Sequence, residues 1–170
     1  MTDASNRKQR FCKILLEEAN IRKSLNENLS LDESSRKHIE AIVDYQYLPH
    51  DHSSRTSSEY QKLHNTVISL EAEKILKISK DFKEFHSKTT NEHQNPVSNI
   101  WKWILDNCEK LKWKDVENYI DTYSLVTISK KENDKLRITK NVIGDPKKRY
   151  EEAGIIVTLL DKPPKDFFKN

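Results

Sequence analysis

Glycine is almost missing from this 170-residue chain: Gly144 and Gly154 are the only two. A loop that cradles phosphate needs glycines to bring backbone N–H groups close to the anion, so glycine-rich nucleotide loops are excluded. Cysteine is equally scarce. Cys12 and Cys108 stand far apart with no Cys-x-x-Cys spacing, which leaves neither a disulfide framework nor a thiolate metal site. Two reduced thiols are what a cytoplasmic or nuclear protein carries. No apolar run approaches the ~18 residues of a membrane span, and Thr2–Arg10 is too polar for a signal-peptide core. Charge of one sign is not in large excess, since the net charge is only +3. Gly-x-Ser-x-Gly and His-Glu-x-x-His motifs are both absent, so no enzyme, cofactor or metal is expected. His50-Asp51-His52 is the one cluster of metal-ligating types. Further ligands would have to come from His64, His86 or His93, and without a framework spacing the cluster reads as polar loop.

What is present is a polar but periodic chain. Hydrophobic residues make up 35% and charged residues 34%, and the apolar ones are grouped as a packed core requires. Phe11, Ile14, Leu15, Ala19, Ile21 and Leu25 recur at helical spacing over residues 5–25, and Asn26-Glu-Asn28 ends that helix. Ser30 with Glu33 reads as a capping box that opens a second helix to about Tyr45. Thr56 with Glu59 reads as another, opening a long third helix over 57–86. Residues 1–88 are thus expected to be a three-helix region, and 89–95 a polar linker. Asn95-Pro96 opens a small α+β block over 96–170, packed on the long helix. That block holds two helices with all three tryptophans, then a strand–turn–strand pattern over 124–140, then one further buried strand over 155–160. Gly154 closes a short helix before that last strand. No internal repeat is visible. The expected class is α+β, mostly helical.

The order helix, helix, β-hairpin is compatible with a winged-helix arrangement. Its wing would carry Lys130, Lys131, Lys135, Arg137 and Lys140, a basic set suited to phosphate or to an acidic protein. Against nucleic acid, Glu117 and Asp121 share the supposed recognition helix, and a third helix must be borrowed from the N-terminal region. Trp101 and Trp113 are expected to anchor the core. Trp103, Phe82, Phe85, Phe167 and Phe168 are the candidate protein-interface residues. The function expected is a non-catalytic interaction subunit or adaptor of an intracellular assembly, with a protein partner and no membrane. The alternative is a winged-helix DNA- or RNA-binding protein with a regulatory role.

Overall fold

The computed structural model describes residues 3–47, 57–123, 125–138 and 145–168. Along the chain these form α1 (Asp3–Leu25), α2 (Glu33–Asp44), α3 (Ser58–His64), β1 (Val67–Ser69), α4 (Leu70–Ile78), α5 (Phe82–Lys88) and β2 (Thr89–His93). There follow α6 (Val97–Asn107), α7 (Trp113–Asp121), β3 (Leu125–Ser129), α8 (Lys130–Ile138), α9 (Pro146–Glu152) and β4 (Val157–Leu159). The expected class holds: the protein is a mostly helical α+β fold with a four-stranded mixed sheet. It divides into two compact units, each discontinuous in sequence: Met1–Thr56 with Asn95–Ser124, and Ser57–Gln94 with Leu125–Asn170. The boundaries expected at 88 and 96 give way because strands from both sides of them pair in one sheet. The linker expected over 89–95 carries β2.

The first unit is helical. α1 packs on α2, α6 and α7, and its stripe of Cys12, Leu15 and Ala19 is fully buried with Ile39, Ile42, Ile104, Val116 and Ile120. α1 ends where expected: Asn26 adopts φ 52, and the Glu27 N–H reaches back 3.0 Å to the Arg22 carbonyl. Asparagine tolerates that left-handed turn better than most residues. The cap of α2 is Asp32, whose carboxylate accepts from the Ser35 N–H at 2.7 Å, so the Ser30–Glu33 box does not form. Nor does Asn95 cap α6; its amide donates to the Tyr119 hydroxyl at 3.2 Å instead. Trp101 is buried as expected, its indole N–H satisfied at 3.0 Å by the Leu29 carbonyl.

The second unit holds the sheet, ordered β2-β3-β1-β4. β1 and β3 are parallel, and β4 and β2 flank them antiparallel. The order strand–helix–helix–strand therefore occurs twice, as β1-α4-α5-β2 and β3-α8-α9-β4. The two helix pairs cover opposite faces. Ile68, level with Thr127, packs with Ala72, Leu76 and Phe85. Val126 and Ile128, alternate to Thr127, pack with Leu136 and Tyr150. This repeat belongs to the topology, not to the sequence.

Three expected elements are corrected here. The long third helix is broken into α3, α4 and α5, with β1 inside it. Val67 and Ile68 suit a strand, and two fresh caps restart the helices: Ser69 Oγ accepts from the Ala72 N–H at 3.1 Å, and Asp81 from the Glu84 N–H at 2.8 Å. The β-hairpin does not exist, since its second strand is α8. Ser129 Oγ accepts from the Glu132 N–H at 3.1 Å, while the Glu132 carboxylate accepts from the Ser129 N–H at 2.8 Å. That reciprocal capping box turns the chain from strand into helix at Lys130. The last strand lies where expected but at the sheet edge, with Leu159 69% exposed. Gly154, at φ 65, does close α9: the Gly154 and Ile155 N–H groups bond to the Glu151 and Tyr150 carbonyls at 3.0 and 2.8 Å.

Candidate protein-docking site

β1 and β3 run parallel and end side by side, each leading directly into a helix, α4 and α8. Between those helix starts and the turn at Gly154 lies a cleft of about 340 Å³. Its apolar wall is Leu70 and Ile156, which are 39% and 64% exposed. Lys74 of α4 and Lys131 and Lys135 of α8 rim it, the latter two one helical turn apart on one face. The buried Glu132 carboxylate is spent internally, accepting from the Ser69 hydroxyl at 2.6 Å as well as from Ser129. Glu71 of α4 pairs with Lys74 at 3.6 Å. No carboxylate among the described residues pairs with Lys131 or Lys135.

Ile156, at the cleft wall, leads directly into β4. The Leu70 N–H bonds to the Ile156 carbonyl, and the Leu160 N–H to the Thr66 carbonyl, both at 2.9 Å. Antiparallel alternation then turns the main-chain groups of Val157 and Leu159 away from β1. Among the described residues no strand pairs with that outer side. The other sheet edge is covered. α3 lies against β2, where Lys62 donates to the Thr89 carbonyl at 2.8 Å and Asn91 to the Gln61 side chain at 3.1 Å.

The expected basic set is thus redistributed. Lys130, Lys131, Lys135 and Arg137 are exposed on α8 instead of on a wing, and Lys131 and Lys135 alone of these line the cleft. Lys140 lies outside the described residues, as does His50-Asp51-His52. Among the described residues no group of three or more His, Cys, Asp and Glu side chains could hold a metal. Of the candidate interface phenylalanines, Phe85 is fully buried core, which removes it from any partner's reach. Phe82 and Phe168 are half-buried and pack against the same cluster, with the Phe168 ring 6.0 Å from Phe82 and 6.1 Å from Phe85. Phe167 is exposed beneath the Lys162 ammonium, 4.7 Å from its ring. Trp103 is half-buried and stacked on Tyr119 at 3.8 Å, with the rings 5° from parallel, so one of its faces is already occupied. Trp113 is half-buried as well, at the start of α7.

Sequence reading passed over an exposed pair at one strand and a buried lysine. Ile156 and Leu159 look like core in a compact apolar run, and nothing local tells an edge strand from a central one. The lysine is Lys62: it is buried, its ammonium donating to the His86 and Thr89 carbonyls at 3.2 and 2.8 Å. Burial, reinforced by nearby Lys130, pushes its pKa down to about 8. Burial and the same two lysines lower His86. Lys62 holds the α5–β2 junction and is too enclosed to meet a substrate. Compared with protein-family models, curated proteins and solved structures, the chain matches none of them. Among the described residues no helix is long and apolar enough to cross a membrane.

Proposed function

We propose that this protein is a non-catalytic interaction subunit that takes an extended segment of a partner protein as a fifth strand on β4. The observation that carries the reading is the contrast between the sheet's two edges. An open strand edge is a template for pairing, and proteins ordinarily blunt it with a very short strand, charge, proline, a bulge or a covering element; β4 is short, at three residues. β2 is covered by α3. Val157-Thr158-Leu159 has no charge and no proline, and Ile156 and Leu159 stand exposed beside it. Strand addition uses such an edge: main-chain bonds supply affinity, and alternate side chains supply specificity.

Peptides selected from a random display library on the full chain test the proposal. Bound peptides should protect the Val157 and Leu159 amides from hydrogen exchange. Leu159→Pro removes only an outward-facing N–H, so it should abolish binding while the β1–β4 ladder persists. Failure to enrich any peptide, or enrichment of peptides that leave those two amides unprotected, overturns the reading.

A further inference from the structure

We infer that the segment received at β4 is acidic, its carboxylates seated on Lys131 and Lys135 as the added strand passes Ile156 into the cleft. This rests on the strand-addition reading above and names the chemistry of the partner. Three observations support it. The cleft begins at Gly154 and Ile156, immediately before β4, so a strand laid along β4 runs out over it. Lys131 and Lys135 both line the cleft and have no carboxylate partner among the described residues. The one carboxylate at the cleft floor, Glu132, already serves two donors, and so cannot also neutralise the rim.

The same surface suits a protein better than a nucleic acid. Its wall is aliphatic, Leu70 and Ile156, with no aromatic ring on which a base could stack. Gly154 adds room, because nothing lies within 4 Å of where a Cβ would be.

The test uses the full chain and three probes: a short capped peptide alternating valine with glutamate, its valine–lysine counterpart, and a single-stranded oligothymidylate. Binding is read by fluorescence anisotropy at low and at high salt. The valine–glutamate peptide should bind, and the valine–lysine peptide should bind at least about tenfold more weakly. High salt should narrow that gap. The double variant Lys131→Glu, Lys135→Glu should weaken the acidic peptide by about tenfold or more, with thermal unfolding unchanged because both side chains are exposed. If both peptides bind alike, the lysine changes do nothing and Leu159→Pro still abolishes binding, the acidic preference falls and strand addition stands. If Leu159→Pro leaves acidic-peptide binding intact, or if neither peptide binds, both fall. Tighter binding of oligothymidylate than of the acidic peptide overturns the assignment in favour of nucleic acid.

Discussion

Glu132→Ala is the substitution that most sharply separates a helix from a hairpin at 130–138. In the structure one carboxylate oxygen accepts from both the Ser69 hydroxyl and the Ser129 N–H, joining the ends of the two central strands. Ser69 is fully buried and Ser129 is 2% exposed, so both donors lose their acceptor when the carboxylate is removed. A buried donor left without an acceptor costs about 1–3 kcal/mol. Ser69 keeps its second role, accepting from the Ala72 N–H, and its hydroxyl can rotate, which puts it at the low end. Removing a buried charge returns part of the loss. The expected net destabilisation of the second unit is therefore about 1–3 kcal/mol. Glu132→Gln keeps a carbonyl oxygen where both donors point, and should cost less than half as much. Native-state hydrogen exchange at the Ile68 and Ile128 amides reads the change on the strands concerned. The tip of an exposed hairpin would tolerate either substitution within about 0.5 kcal/mol. A Glu132→Ala variant that exchanges like wild type at both amides refutes the capping box and, with it, α8.

Two further outcomes follow from buried titrating groups. Lys62 has a folded pKa of about 8 against an ordinary 10.5, so between those values the unfolded chain binds the extra proton and the Lys62 contribution to stability grows with pH. Relative to Lys62→Met, wild type should gain about 2 kcal/mol between about pH 7 and pH 10 in urea unfolding, and a pH-independent difference would contradict the buried ammonium. Burial, with Glu117 adding to it, pushes the Cys12 thiol up to about 12. Cys12 should therefore stay unlabelled by a small thiol reagent at mildly alkaline pH until the first unit unfolds, as site-resolved mass spectrometry would show. Labelling at the rate of an exposed thiol would show that α1 does not pack as described.

The parts of the fold legible in sequence share one property: their cause is local. The burial of Leu15 and Ala19 on α1, the stop at Asn26 and the glycine closing α9 each follow from a few neighbouring residues, whereas Ile21 and Leu25 of the expected stripe are exposed and Pro96 is the cap of α6 and not its first residue. Ser129-Lys-Lys-Glu132 was legible in the same way, because it is the same capping pattern read elsewhere in the chain. It was overridden by the alternation of Leu125–Ser129, which continues visually into Leu136 and Ile138. The helix over 57–86 failed for the opposite reason. Its apolar spacing is nearly helical throughout, and the strand at Val67–Ser69 is stabilised by β3 and β4, residues far away in sequence.

The same division holds for the candidate site. Sequence alone determined that the chain lacks phosphate loops and catalytic motifs, that it is a mostly helical α+β protein, and that its lysines concentrate at 130–140. Tertiary structure decided which of those lysines share a cleft. Strand pairing sets α4 beside α8, so Lys74 meets Lys131 and Lys135 around one cleft. It also decided which strand has an open edge, because position in a sheet depends on partners and not on the strand's own residues. Val157-Thr158-Leu159 would read the same at the centre of the sheet; only the absence of a neighbour beyond it among the described residues leaves Leu159 exposed and not a core residue.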